Sequence, residues 1–370
     1  MSHLEQLRQR TPEMVDALAT LVAVESPSSD LVATAECARV ARSLAVDLLG
    51  SDGELLQVEG RSHLRWRFGS ATKVVLLGHL DTVWATGTTA VWPFEVNEDN
   101  ATGPGCFDMK GGVVQLLFAT AALDDLDGVV ILLTTDEELG SPSSRDLIAE
   151  SVADAEAVLV LEPSASGSLK TQRKGVSTYR VEVTGRAAHA GLDPENGINA
   201  ALEIAHQVVA ISELAAPEIG TTVTPSVLTG GTTTNTVPSK ASVAVDARAF
   251  TAAEQERVDA GLRSLEPTIA GAKLTVERVT TTAPLERTSS QALYARAQEV
   301  AADIGIGALT EKAVGGGSDG NFTAGLGIPT LDGLGPVGGN AHAEGEWISI
   351  SAMPERAALV SGLLSALLRG

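Results

Sequence analysis

Only two cysteines, Cys37 and Cys106, occur in the 370 residues. So few thiols exclude a disulfide framework and a thiol-ligated zinc site, both of which need more cysteines at close spacing. A metal in this chain must be held by histidines and carboxylates. Basic residues are scarce as well: 26 Lys and Arg stand against 47 Asp and Glu, a net charge of −21. Phosphate backbones and anionic membranes repel such a surface, so neither nucleic acid nor a membrane is an expected partner. Long apolar runs are missing too. The longest nearly uncharged one, 111–123, falls short of the ~20 residues a membrane-spanning helix needs. The opening MSHLEQLRQRTPEMVDAL is polar and helical in pattern. It lacks the charged-then-apolar layout of a signal peptide, and a cytoplasmic location is expected.

What is present is an ordinary globular balance, 44% hydrophobic and 20% charged. The length exceeds the ~100–200 residues of one domain, so two are expected. Leu7, Met14, Leu18, Leu21 and Val22 recur at helical spacing and predict a helix over 5–24, with a second over 31–49. Leu64–Phe68 and Val74–Leu77 read as strands. The second is a continuous apolar run ending in Gly78-His79, the mark of a strand buried on both faces. A helix over 111–123, strands at Val129–Thr134 and Ala157–Leu161, and a short helix over 143–151 follow. Alternating strands and helices predict an α/β domain, its mainly parallel mixed sheet flanked by helices.

Near Gly175 the pattern changes. A half-exposed strand at 176–184 precedes a helix at 196–213, strands near 221–229 and 241–249, a helix at 252–265 and a strand at 272–280. The order β-α-β-β-α-β is the ferredoxin-like split βαβ layout. From about Ala283 the chain returns to a helix at 290–303, a strand at 328–331 and a closing helix at 354–368. Residues 176–284 are therefore read as an α+β domain inserted into a discontinuous one of 1–175 and 285–370.

Six histidines occur. His3, His63 and His206 lack partner motifs and are read as structural or solvated. His79 is different, because it ends an apolar strand, and α/β sheets place their active sites at that edge. Asp81, two residues on, is placed to orient its imidazole. Asp108 lies between glycines in GPGCFDMKGG, where its carboxylate could bridge two cations or simply cap the following helix. Asp136, Glu137 and Glu138 directly follow VVILLTT, and three adjacent carboxylates repel one another unless a cation neutralises them. AVLVL runs straight into Glu162-Pro163, and His342 sits in the glycine-rich GPVGGNAHAEGE. Two imidazoles with carboxylates and no thiols suit Zn²⁺, with Co²⁺ and Mn²⁺ as alternatives.

The segments GHLDTV, GPGCFDMKGG, TTDEELGS, LEP, GRAAHAG, GGTTTNTVPSKA, DARAF, GGGSDGNF and GPVGGNAHAEGE resemble, in order and over nearly the whole chain, those of the co-catalytic zinc metallopeptidases. That family includes glutamate carboxypeptidase, acetylornithine deacetylase, succinyl-diaminopimelate desuccinylase and aminoacylase. The resemblance implies a zinc-peptidase-like catalytic domain with two Zn²⁺ per subunit. Asp108 would bridge them, with His79 and Glu162 on one metal and Glu138 and His342 on the other. It further implies Glu137 as general base and Asp81 as the carboxylate orienting His79. The inserted domain would be a lid and homodimerisation domain. In it, His189 would stabilise the oxyanion in the neighbouring subunit's site, Arg248 would grip the substrate's carboxylate, and Asn235 would make a further polar contact. Cys106 departs from the small or apolar residue usual two before the bridging Asp and is read as a buried structural thiol.

The expected substrate is a small peptide or N-acyl amino acid. Glu162 points towards the carboxypeptidase and deacylase branches, and the Gln172–Gly175 segment with the Arg248 context leans towards a glutamate-carboxypeptidase-like exopeptidase over an N-acyl-amino-acid deacylase. A catalytically inactive binding protein on the same scaffold would have lost a ligand or Glu137, and all are present. No nucleophile elbow is read, and neither cysteine has a histidine partner, so a serine or cysteine hydrolase is not expected.

Overall fold

The computed structural model describes residues 2–369. They form two compact units. The first runs to Gln172 and resumes over Arg287–Val314 and from Ser318 onward. It opens with two helices, α1 (His3–Gln9) and α2 (Thr11–Ala23), in place of the single helix expected over 5–24. The break at Arg10 follows from Pro12, which has no N–H to continue a ladder but fits the first turn of a new helix. Helix α3 (Leu31–Leu49) starts under an Asp30 side-chain cap and stops at Gly50, whose left-handed φ of 64° closes its C-terminus.

Five strands then build a sheet: β1 (Glu54–Val58), β2 (Arg61–Arg67), β3 (Val74–His79), β4 (Val129–Thr134) and β5 (Ala157–Val160). Their spatial order is β1-β2-β4-β3-β5. The β1–β2 and β2–β4 pairs are antiparallel, while β3 runs parallel to both β4 and β5. β1 was not expected, because Glu54–Val58 is mostly exposed and lacks the apolar signal of its neighbours.

Every residue of β3, β4 and β5 is buried. Leu76, Ile131, Leu133 and Leu159 face a large core shared with α2, α3 and the helix α4 (Gly111–Ala121). Val75, Leu77, Val130 and Val158 face a smaller one with the helix α5 (Arg145–Val152). Helices therefore cover both faces, which is why these strands are apolar throughout. Each fully buried Leu or Val contributes ~1.5–3 kcal/mol, so the sheet anchors the unit, and the loops at its edge can carry polar chemistry.

The second unit comprises Arg173–Glu286 with Gly315–Gly317. Its strands β6 (Gly175–Thr184), β7 (Thr222–Gly230), β8 (Lys240–Ala249) and β9 (Lys273–Thr282) form an antiparallel sheet in the order β7-β8-β6-β9. The helices α6 (Ala200–Ser212) and α7 (Ala252–Arg263) pack on the apolar face around Tyr179, Val181, Val243 and Val245. This is the ferredoxin-like arrangement.

The chain returns to the first unit as α8 (Arg287–Ile304), α9 (Asp319–Gly325), the short strand β10 (Thr330–Leu331) and α10 (Ala352–Arg369). β10 adds parallel beside β5 and completes a mixed, mostly parallel sheet of six strands. Among the described residues, no helix is long and apolar enough to cross a membrane.

Candidate active site

The ends of β3, β4 and β5 bring three polar segments together, as expected of a parallel sheet edge. His79 closes β3 and is buried to 1% exposure, its Nδ1 2.9 Å from the backbone carbonyl of Asp81. The Asp81 carboxylate faces the same ring nitrogen, at 3.5 Å from Nδ1. Its oxygens also accept from the backbone N–H groups of Glu137 and Glu138, both at 3.2 Å, and from Ser28 Oγ at 2.7 Å. Asp81 thus fixes the acidic turn as much as the imidazole. With both roles its carboxyl stays below the usual range, because the His79 and Ser28 contacts outweigh its burial.

The other nitrogen of His79, Nε2, has no hydrogen-bond partner although it is buried. Three carboxylates surround it: Asp108 at 3.4 Å, Glu162 at 3.4 Å and Glu137 at 4.0 Å. Asp108 turns its second oxygen to His342 Nε2 at 3.4 Å, and Glu138 comes within 3.1 Å of that same nitrogen. The carboxylate of Asp108 therefore faces one imidazole with each oxygen, with Glu162 on the first side and Glu138 on the second.

Glycines make this approach feasible. A Cβ on Gly112 would stand 2.1 Å from the carbonyl oxygen of Leu161, so nothing larger lets α4 lie against the end of β5. His342 is held at φ 60°, a left-handed conformation unusual for a non-glycine residue.

Electrostatics express the crowding. Burial alone would lower the His79 value, but Asp108, Asp81 and Glu162 hold it well above the ordinary range. Asp108 and Glu138 raise His342 to about 9. Burial and the neighbouring Glu162 push Glu137 well above a normal carboxyl, and burial takes Glu138 to about 7. Burial also works against ionised Asp108, yet His342 and His79 keep its value low. An orphaned buried imidazole nitrogen amid oxygen donors is a donor set for a borderline divalent cation. Within it, His79, Asp108 and Glu138, and again His79, Glu137 and Glu162, bring ligand atoms within 4.8 Å of one another.

Asp136 stands apart from its two neighbours. It accepts from Ser143 N, Ser143 Oγ and Ser144 Oγ at 2.6–2.7 Å and so organises the turn into α5. His63 is buried, and its Nδ1 accepts from Thr135 N at 3.3 Å. Cys106 is a free, buried thiol, raised well above its ordinary value by burial.

His189, Asn235 and Arg248 belong to the second unit. His189 and Asn235 lie on paired strands of loop, with Ala190 N donating to Asn235 O at 2.9 Å, and both side chains are exposed. Arg248 extends from β8 and is paired in-plane with Asp246, Nε to Oδ1 at 2.9 Å and Nη2 to Oδ2 at 3.2 Å.

Several residues escaped sequence reasoning. Asp319 is buried, bonded to Ser141 Oγ and Thr134 Oγ1, and burial raises its value to about 7. Glu346 is buried and accepts N–H bonds from Gly105, Phe107, Asp108 and the Trp84 indole. Lys110 is buried with its ammonium 2.7 Å from the Val24 carbonyl, and Lys170 lies 3.9 Å from Glu162. Both acids stand inside glycine-rich motifs, and motif membership was the only signal available. Gly316–Gly320 also spells the G-x-S-x-G that the sequence reading passed over. Ser318 there caps α9, and its hydroxyl donates to Asp332 at 2.6 Å, so it is engaged by a carboxylate as a structural cap.

Residues 75–366 match the family described as Peptidase family M20/M25/M40. Carboxypeptidase G2 of a Pseudomonas species is 29% identical over 383 residues, covering 95% of this chain and 89% of that protein. Succinyl-diaminopimelate desuccinylase of Wolinella succinogenes is 26% identical over 318 residues, 81% of this chain and 85% of that protein. In fold, the crystal structure of a tripeptidase from Staphylococcus aureus superposes with a TM-score of 0.74 at 20% identity, covering 97% of this chain and 99% of that one.

Proposed function

The chain belongs to peptidase family M20/M25/M40, metal-dependent hydrolases of amide bonds, and from that premise we propose a two-zinc, glutamate-carboxypeptidase-like exopeptidase. It cleaves the amide bond beside a free carboxylate. The observation that carries this is Asp108, whose two oxygens face the imidazoles of His79 and His342 at 3.4 Å each. Glu162 with His79 would hold one ion, and Glu138 with His342 the other. The chemistry that two dications would supply there is Lewis acidity, which would polarise a carbonyl and lower the pKa of bound water.

Glu137 is the general base. Largely buried at the strand edge and 4.0 Å from His79 Nε2, it would take a proton from the attacking water and hand it to the leaving amine. Arg248 takes the substrate's carboxylate in a planar fork, Asn235 a polar substrate group, and His189 the developing oxyanion. The second unit serves as lid and homodimerisation surface. The likeness to carboxypeptidase G2 along 95% of the chain supports the exopeptidase assignment.

Likeness to succinyl-diaminopimelate desuccinylase along 81% of the chain favours an N-acyl-amino-acid deacylase as the alternative. Purified protein assayed for metal content, then on dipeptides ending in Glu beside N-acyl amino acids, tests both. Two zinc per chain, chelator-sensitive activity and preference for the dipeptides are expected. Faster turnover of the acyl amino acids selects the deacylase, and protein without metal or chelator response rejects the two-metal function.

A further inference from the structure

We propose that Glu346 is the positioning residue for the bridging carboxylate of Asp108, an inference that rests on the two-metal function. Glu346 has no exposed surface. Its Oε1 accepts from Phe107 N and Asp108 N, both at 2.8 Å. Its Oε2 accepts from Gly105 N at 2.9 Å and from Trp84 Nε1 at 2.8 Å. A buried charge is tolerable only when its acceptor sites are filled, and four N–H donors fill these. The donors need the carboxylate equally. Gly105–Asp108 precedes the regular part of α4, and the N–H groups of Gly105, Phe107 and Asp108 point at Glu346, while that of Cys106 donates to the Gly103 carbonyl at 3.1 Å.

The geometric consequence concerns three chain segments. Trp84 lies five residues beyond His79, Gly105 and Phe107 flank the approach to Asp108, and Glu346 follows His342 by four residues. One carboxylate therefore ties together the segments that carry His79, Asp108 and His342. The Asp108 backbone is held by its own N–H, so its side chain has few ways to turn while keeping one oxygen towards each imidazole. An amide in place of Glu346 would set an NH₂ group against N–H donors and release part of the clamp. Burial raises the Glu346 value despite these donors, in keeping with how far the group is removed from water.

Partners that hold a ligand in place typically cost about 10–100-fold in metal affinity or activity when removed. The test measures zinc affinity of the full-length chain by competition with a chromophoric chelator, together with kcat, KM and the unfolding midpoint of metal-free protein. Glu346→Gln is expected to lose about 10–100-fold in zinc affinity and in kcat, with KM near wild type. Trp84→Phe removes one donor and leaves the backbone bonds, so it covers the case in which Glu346→Gln fails to fold. It is expected to move affinity in the same direction by up to about 10-fold. Wild-type zinc affinity in a folded Glu346→Gln protein, or in Trp84→Phe if only that variant folds, overturns the role. So does a lowered metal-free midpoint with affinity and kcat unchanged, since that describes scaffolding alone. Wild-type protein that binds no zinc overturns the two-metal function as well, whereas normal wild-type binding with an unaffected variant overturns only the role of Glu346.

Discussion

In the first unit the side chains of His79, Glu138 and Glu162 are at most 8% exposed, and Asp108 and Glu137 are 15% exposed. In the second, His189 and Asn235 stand in the open, and Arg248 is 39% exposed with Asp246 as its partner. The first set is fixed before any ligand arrives. Asp81 holds the turn bearing Glu137 and Glu138, Asp319 holds that turn through Ser141, and Glu346 holds Asp108. Buried charges at such spacing demand a rigid frame, because small displacements change their energy steeply in a medium of low dielectric. In the second set the backbone of His189 and Asn235 is tied into the loop while their side chains stay exposed, and Arg248 is paired with Asp246. Substitutions in the first unit should therefore act on metal content or kcat, and those in the second on turnover or substrate binding with metal content unchanged.

The largest effect should come from removing the metal or a ligand. Chelation, or His79→Ala, should reduce activity to background, and zinc should restore the chelated wild type but not the variant. Restored activity in His79→Ala would remove that imidazole from the metal set. Next, Glu137→Gln should lower kcat by about 10²–10⁴-fold while zinc content stays at the wild-type level, as for a general base. Lost zinc in that variant would make Glu137 a ligand instead.

In the second unit, His189→Ala should cost about 10²–10³-fold in kcat, the value of one oxyanion donor, again without loss of metal. Mixing it with Glu137→Gln should recover part of the activity if subunits share sites. A mixture as inactive as its components points to self-contained sites. Arg248→Ala should cost about 10–100-fold in kcat/KM, the worth of a hydrogen bond to a charged group, and only for substrates with a free carboxylate. An equal loss on amidated substrates would place Arg248 outside carboxylate recognition.

The smallest effect is on stability. Burial raises Asp319 from 3.8 to about 7, so the folded state holds this proton more tightly than the unfolded chain does. Its contribution to stability is therefore full at acid pH, falls as pH rises from about 4 to about 7, and is level above that. In metal-free protein, Asp319→Asn should flatten the loss of unfolding free energy between about pH 4 and about pH 7 in urea titrations. An unchanged slope would assign it to other groups.

Much of this site was legible in one dimension. β3, β4 and β5 are uninterrupted apolar runs, and such runs end where the sheet does, so His79, Glu137, Glu138 and Glu162 could be placed at one edge. Asp108 and His342 were readable only as glycine-rich loops, which say that the backbone turns sharply and not where it goes. The split of the opening helix at Arg10 was missed because apolar spacing continues through it, while Pro12 acts on the backbone.

By itself, then, the sequence determined most of the elements, their α/β and ferredoxin-like order, the acidic, thiol-poor donor set and the family motifs, because each depends on neighbours a few residues apart. Tertiary structure alone decided which oxygen of Asp108 faces which imidazole, that Asp81 holds a turn as well as a ring, and that Glu346 reaches back across 238 residues to the Asp108 amide. Those contacts have no local period or propensity. They exist because burial in a common core brings distant loops together and leaves their polar groups only one another to satisfy.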